Sequence, residues 1–266
     1  MPDVDKFSQR RFFERSISTV EKADFLYREV QSRLLYRLQG MKLPSRTAVD
    51  FASLQTRPYF PSVSNDTCLS AVETVVDVEE LASLMPSSFG LMYSNLTQSL
   101  EDLATFFTLG LRALIPNGLL LFSLLGPSTL KELGAAFGHD AFPHVHRFYD
   151  MHDVGDLLLS SGYASPVMEA SCIRVNYSSL EALFRDLRYM GVQCASQHRR
   201  HGLTGKGVWH AMHERYVVNE KKRYPVTIEV ILGHAWKPAV VAQQRDGEEV
   251  RVNMDNIVRR DDGKNN

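Results

Sequence analysis

The sequence has no excess of charge of either sign, no long hydrophobic run and no recognisable targeting segment. Its 266 residues include 30 basic and 31 acidic side chains. Proteins that bind a nucleic-acid backbone usually carry a clear basic excess, so nucleic acid is a disfavoured partner. The longest apolar runs, 118–125 and 226–232, are far shorter than the roughly 20 residues of a membrane span, and no membrane partner is expected. Because the first residues are polar and lack an apolar core, we expect a cytoplasmic protein.

Cysteine is scarce and offers neither a disulfide framework nor a zinc site. The sequence has three cysteines: Cys68, Cys172 and Cys194. Their odd number and the absence of a C-x-x-C pair are typical of reduced structural thiols. Two histidine pairs have helical spacing: His198 with His201, and His210 with His213. Neither pair has the spacing of a zinc site, so no metal is predicted.

Strands and helices alternate in the middle of the chain. Strands are predicted at 47–51, 72–78 and 89–96. A helix should follow the third strand, because Ser99 and Asp102 have the spacing of a capping box and apolar residues share one face as far as Pro116. The run 118–126 is almost continuously apolar, as in a strand covered on both faces. Strand, helix and buried strand form a βαβ unit, which predicts an α/β fold.

The remaining segments add helices at both ends of this unit. Helices are predicted at 18–38, 153–161, 180–190 and 207–222, and strands at 167–177 and 226–236. The predicted organisation is a helical lid segment (1–45), an α/β domain (46–238) with a helical insertion (about 178–225), and a flexible polar tail (239–266).

A series of segments resembles one protein family. In chain order they are 10–15, 23–29, 94–96, 116–122, 126–133, 147–153, 175–177, 200–205, 223–225 and 233–238. They are similar to segments of the class I S-adenosylmethionine-dependent methyltransferases. Within that family they resemble the malonyl-acyl-carrier-protein O-methyltransferases of biotin synthesis and their relatives in mitochondrial complex I assembly. The resemblance extends over most of the chain.

The resemblance implies a Rossmann-like, doubly wound sheet with S-adenosylmethionine lying across the carboxyl ends of its strands. The segments 89–96 and 119–125 would be the family's fourth and fifth strands, and the last strand would be antiparallel. Only about 20 residues separate Thr56 from Asp77, whereas a βαβ unit takes about 30. We therefore expect the sheet to be truncated by one strand–helix unit.

The resemblance also implies which residues face the cofactor. Asp50 matches the family's acidic residue after the first strand, and Asp77 or Glu79 corresponds to a later acid near the adenine. Ala52 and Leu54 stand where the family has glycines. Side chains at these positions would enter the cofactor volume or force a backbone conformation that L-residues avoid.

Candidate substrate residues lie at the fourth strand and in the insertion. Asn95 and Tyr93 occupy the end of the strand where the family orients its substrate, although Asn95 would equally help to cap the next helix. Arg199, Arg200 and Lys206 belong to the most basic stretch of the chain. They would bind an acidic acyl carrier protein or another acidic partner, or would form a solvated helix face.

Two functions follow from these patterns. The first is an O-methyltransferase that uses S-adenosylmethionine to methylate the free carboxylate of malonyl-acyl carrier protein. The second, suggested by the lost glycines, is a catalytically inactive methyltransferase-like protein that acts as a binding or assembly partner.

Overall fold

The computed structural model describes residues 4–51, 69–96, 102–138, 140–239, 244–246 and 249–251. These residues contain a six-stranded sheet and a separate two-stranded hairpin. The strands are β1 (Thr47–Phe51), β2 (Ala71–Val75), β3 (Phe89–Ser94), β4 (Leu114–Leu125), β5 (Ala164–Tyr177), β6 (Tyr224–Trp236), β7 (Gln244–Asp246) and β8 (Glu249–Arg251). The hairpin of β7 and β8 lies within the predicted polar tail, where the sequence pattern gave no strand.

Eight α-helices flank the sheet in the described part of the chain. They are α1 (Lys6–Ser16), α2 (Phe25–Leu38), α3 (Val78–Ser83), α4 (Leu103–Ala113), α5 (Lys131–Phe137), α6 (Met151–Ser160), α7 (Leu180–Tyr189) and α8 (Lys206–Arg215). The predicted helix at 18–38 is shorter than expected, because Val20–Lys22 forms a separate 3-10 turn. The helix predicted at 207–222 ends at Arg215. None of these helices is both long and apolar enough to cross a bilayer.

The order of the strands confirms the truncated Rossmann-like sheet. The order is β2-β1-β3-β4-β6-β5, in which β2, β1, β3 and β4 are parallel and β6 is antiparallel to both neighbours. β2 pairs directly with β1, from Thr47 beside Ala71 to Phe51 beside Val75. The sheet of the described residues thus has six strands.

Each face of the sheet has its own hydrophobic core. In β3, Leu91 and Tyr93 point to the face covered by α2 and α7, whereas Met92 points to the face covered by α4 and α6. β4 is buried along its last eight residues, as the apolar run predicted. The parallel strands are therefore held between two helical layers, and their carboxyl ends form one edge of the domain.

Two helices after the parallel strands begin at aspartate caps. Asp77 accepts a hydrogen bond from the backbone N–H of Glu80, and the Glu80 carboxylate accepts one from the N–H of Val76, the residue before the cap. Asp102 is the cap of α4, where its carboxylate accepts from Thr105 N–H at 3.1 Å. Ser99, predicted as the cap of this helix, lies outside the described residues.

Gly233 allows β6 to pass directly beneath an aromatic ring of β4. It is paired with Phe122, and a Cβ at position 233 would overlap that ring and come within 2.8 Å of Met168 Sδ. We expect Gly233→Ala to lower the free energy of unfolding by about 2 kcal/mol, because overpacking displaces buried side chains. Urea denaturation measures this change.

Gly155→Ala is the matched control for this substitution. Gly155 lies within α6, and a Cβ there would meet no atom within 4 Å. Alanine at this site should raise stability by about 0.5 kcal/mol or more through helix propensity. Equal unfolding midpoints for the two variants would contradict the proposed close contact at Gly233.

Candidate active site at the carboxyl edge of the sheet

The parallel strands end side by side at one edge of the sheet. Phe51 at the end of β1 pairs with Ser94 at the end of β3, and Ser94 pairs with Phe122 of β4. In open α/β sheets, ligands bind outside this carboxyl edge. The candidate active site is therefore the region formed by the ends of these strands and by the helices that cover them.

A buried hydrogen-bond network surrounds Asn95 at this edge. The Asn95 amide donates to the backbone carbonyl of Tyr27 in α2 at 3.0 Å, and its oxygen accepts from the Ser123 hydroxyl at 3.1 Å. The same Ser123 oxygen accepts from Leu96 N–H at 2.7 Å. Asn95 thus joins α2, β3 and β4, and in the described structure its side chain caps no helix.

Two leucines beside this network have left-handed backbone conformations. Leu96 follows Asn95 with a φ of 54°, and Leu130, just before α5, has a φ of 58°. Both are buried. Branched L-residues rarely adopt such angles, and strain of this kind is concentrated at functional sites. The backbone is therefore strained at two points of the same edge.

Asp50 and Tyr93 face each other across β1 and β3. They are paired in the sheet register, and both side chains are buried. Burial raises the pKa of Asp50 to about 7. Burial, with a smaller contribution from the negative charge of Asp50, raises the pKa of Tyr93 above its usual range. The site thus holds a carboxyl group that changes charge near neutral pH and a phenol that stays protonated.

The other predicted cofactor residues are less enclosed. Asp77 lies two residues beyond β2 at the same edge and is exposed, with its carboxylate engaged in the cap of α3. Glu79 is exposed in the first turn of that helix. Ala52 and Leu54 lie outside the described residues. The structure therefore brings Asp50, Tyr93 and Asn95 together and leaves Asp77 and Glu79 at the neighbouring strand.

An apolar cavity of about 240 Å³ opens beside the end of β4. We call it the apolar chamber. Its lining includes Leu125, Leu133, Phe148, Phe184, Met190 and Ile228, and Thr129, His146 and Arg188 supply polar groups. Sequence reasoning did not predict this chamber. Residues of the segments 126–133 and 147–153 line it. These segments carried the family resemblance, but sequence reasoning assigned them no role.

Hydrogen bonds hold the turn after β4 against β6, and this turn forms one wall of the chamber. The Glu229 carboxylate accepts from Ser128 N–H at 2.6 Å, and Gly126 N–H donates to the Glu229 carbonyl at 2.9 Å. Leu130 N–H donates to the carbonyl of Thr227 at 2.8 Å. These bonds hold the strained Leu130 in place at the chamber wall.

The basic residues of the insertion occupy three different environments. Arg199 forms an ion pair with Asp5 at 3.0 Å and donates to Ser8, which ties the start of α1 to the insertion. Arg200 lies 3.5 Å from Asp140 and stacks over Phe142. Lys206 is exposed at the start of α8. Two of the three predicted partner-binding cations are therefore paired within the chain.

The histidines do not assemble a metal site in the described ranges, where no group of three potential ligands is found. His210 pairs instead with Glu214 on the exposed side of α8, at 3.2 Å. This geometry gives no reason to assign a metal to the site.

Comparison with known proteins identifies the family. No family model matches the chain. It is 37% identical to the malonyl-[acyl-carrier protein] O-methyltransferase of Nitrosospira multiformis, over 89% of this chain and 90% of that protein. It is 36% identical to malonyl-[acyl-carrier protein] O-methyltransferase 1 of Coxiella burnetii, over 97% of both. A solved methyltransferase from Archaeoglobus fulgidus matches 82% of this chain and 97% of its own at 14% identity and a TM-score of 0.43, which is too distant to add to the assignment. With more than a third of its residues identical over nearly the full length of these relatives, the chain belongs to the malonyl-[acyl-carrier protein] O-methyltransferase family.

Proposed function

We propose that this protein transfers a methyl group from S-adenosylmethionine to the free carboxylate of malonyl-acyl carrier protein. The observation that carries the proposal is the similarity to enzymes of that name over 89–97% of the chain. The Asn95 network and the apolar chamber, both at the carboxyl edge where class I folds bind ligands, support it.

The described residues fit a cationic cofactor at this edge. The only cause of the raised pKa of Asp50 is burial, so no cation in the described part of the chain compensates the charge of its carboxylate. A positively charged ligand would do so, and Asp77 and Glu79 offer exposed carboxylates at the neighbouring strand. When bound, S-adenosylmethionine supplies a methyl group on a sulfonium.

The protein's own contribution is alignment and exclusion of water. Methyl transfer to a carboxylate needs little acid–base chemistry, so holding the two reacting atoms in line supplies most of the acceleration. Asn95 fixes α2 against the ends of β3 and β4, and the apolar chamber holds the uncharged part of the substrate next to the thioester away from solvent.

The enzyme and the inactive binding protein differ in one measurable property. We expect isothermal titration with S-adenosylmethionine and S-adenosylhomocysteine to give dissociation constants in the micromolar range, about −8 kcal/mol. Incubation with malonyl-acyl carrier protein should then add one methyl group, detected by mass spectrometry. Acetyl-acyl carrier protein is the matched control, because it lacks the free carboxylate and should gain no methyl group.

The lost glycines favour the second candidate, an inactive partner protein. Ala52 and Leu54 stand at positions where the family has glycines, which carry no side chain. No heat of binding up to millimolar cofactor, from protein shown to be folded by circular dichroism, would support this candidate and exclude methyl transfer.

A cytoplasmic location belongs to the same proposal. Cys172 and Cys194 are free thiols in the described structure, as in a reducing compartment. An acidic carrier protein would be the partner there.

A further inference from the structure

A second cavity adjoins the apolar chamber and has a different lining. We call it the polar vestibule. It measures about 550 Å³, and its lining includes Asp140, His144, His146, Arg147, Ser196 and His198. Residues 144–146 line both cavities and form their common wall. The chamber touches strand residues Leu125 and Ile228 and the vestibule touches none, so the vestibule lies farther from the sheet.

The vestibule carries one positive charge that is not compensated. Its single carboxylate, Asp140, accepts from His144 Nε2 at 2.8 Å and lies 3.5 Å from Arg200. The hydrogen bond from His144 and the charge of Arg200 hold the pKa of Asp140 below its ordinary value. Arg147 is exposed to the cavity, and no acidic side chain among the described residues pairs with it. The vestibule therefore attracts an anion.

The wall between the two cavities is held rigidly. The His144 ring is stacked on Phe137, with centroids 3.5 Å apart. His146 Nε2 lies 3.0 Å from the carbonyl oxygen of Gln193 and 3.0 Å from the backbone nitrogen of Ala195, so it donates to the former or accepts from the latter according to its tautomer, and burial lowers the pKa of its imidazole. The shape of both cavities is thus set before a ligand arrives, which reduces the entropy lost on binding.

We propose that the vestibule and the chamber together bind the phosphopantetheine arm that carries an acyl thioester. The phosphate of the arm binds in the vestibule beside Arg147, and the uncharged pantetheine segment passes through the apolar chamber, so that the acyl end points toward the edge of the sheet. An arm with an anionic phosphate and an uncharged, flexible pantetheine segment matches a cationic cavity followed by an apolar one. The inference rests on the proposed function, because it places the substrate's reactive end toward the edge of the sheet.

Titration with 4′-phosphopantetheine and with pantetheine tests the phosphate site. The native protein should bind the phosphorylated compound at least tenfold more tightly, and this preference should weaken at high salt. Arg147→Gln should abolish the preference. Arg174→Gln is the matched control, since Arg174 is exposed on β5 and lines neither cavity, and it should keep the preference. Equal affinity of the native protein for both compounds, or a preference retained by Arg147→Gln, would overturn the proposal.

A second variant tests the chamber. Val192 lines it and is only half-buried, so Val192→Trp should fill the space without unfolding the protein. Affinity for both compounds should fall several-fold while the preference for phosphate is retained. Unchanged affinity would place the arm elsewhere. Inorganic phosphate that competes as strongly as phosphopantetheine would also overturn the assignment, because the vestibule would then be a general anion site.

Carrier proteins and coenzyme A both contain this arm. Binding measurements with each of them distinguish which molecule supplies it. Tighter binding of the phosphopantetheinylated carrier protein than of coenzyme A assigns the arm to the carrier, and the reverse assigns it to coenzyme A. None of these titrations contains S-adenosylmethionine. Phosphopantetheine binding without methyl transfer therefore refutes the proposed function alone, and methyl transfer with no effect of Arg147→Gln refutes this inference alone.

Discussion

Replacing Asp50 by asparagine should remove most of the loss of stability that the native protein undergoes between pH 4 and pH 7. The folded-state pKa of Asp50 is raised to about 7 by burial, whereas an aspartate in an unfolded chain titrates near pH 4. Between these values the folded protein holds a proton that the unfolded chain has released, so stability falls as the pH rises. The difference corresponds to about 4 kcal/mol, which asparagine cannot lose because it does not ionise.

Urea unfolding at pH 4.5 and pH 8 measures this effect. The asparagine variant and the native protein should differ little at pH 4.5, and the variant should be the more stable at pH 8. Asp77→Asn is the matched control, because it makes the same change at an exposed helix cap that asparagine also satisfies. If the Asp50 variant and the native protein differed equally at both pH values, the buried carboxyl would not be the cause.

The pH dependence should also respond to a cationic ligand. A cofactor that places positive charge beside Asp50 stabilises the carboxylate and lowers its pKa. The decline in stability between pH 4 and pH 7 should therefore be smaller when S-adenosylmethionine is bound.

Asn95→Ala should lower the free energy of unfolding by about 3 kcal/mol and reduce methyl transfer at least a hundredfold. The substitution removes one of the hydrogen bonds that the Tyr27 carbonyl accepts, the one from the Asn95 amide, and leaves the buried Ser123 hydroxyl without its acceptor. A lost hydrogen bond costs about 1 kcal/mol and a buried polar group left unsatisfied about 1–3 kcal/mol. Without the hydrogen bond from Asn95, helix α2 can shift over the site. Small displacements of the reacting groups lower the rate of methyl transfer strongly.

A double-mutant cycle with Ser123 separates the network from a general packing effect. Ser123→Ala and Asn95→Ala should be less than additive, because they remove the same hydrogen bond. Asn176→Ala is the surface control. It breaks an exposed hydrogen bond to Asn219 and should cost less than about 0.5 kcal/mol. Full additivity at Asn95 and Ser123 would show that the two side chains act independently.

The two roles suggested for Asn95 can be distinguished by kinetics. The Asn95 side chain already forms hydrogen bonds with the Tyr27 carbonyl and the Ser123 hydroxyl. Asn95 is therefore a positioning residue. If it acts through α2, the variant should lose kcat and stability together, and restoring the stability by a distant substitution should recover part of the activity. If it touches the substrate, kcat should stay low after stability is restored.

The amino-acid sequence alone predicts the family, the α/β class and a sheet shortened after its first strand. These conclusions depend on local patterns and on chain length. An apolar run of strand length identifies β4, and the residues between Thr56 and Asp77 are too few for a complete βαβ unit. Short helices escaped prediction, because α3 and α5 have six and seven residues and show no clear period.

The partners of the individual side chains, by contrast, follow from how distant segments pack together. Asn95 finds its partners 68 and 28 residues away, and Arg199 pairs with Asp5 across 194 residues. No sequence pattern records such pairings, so the basic stretch predicts either a partner-binding surface or a solvated helix face and does not reveal that Asp5 compensates the charge of Arg199. The apolar chamber and the polar vestibule exist only after α2, α5, α7 and the loop before α6 converge on the edge of the sheet. Their shape depends on side-chain contacts between distant segments, and those contacts are fixed by folding.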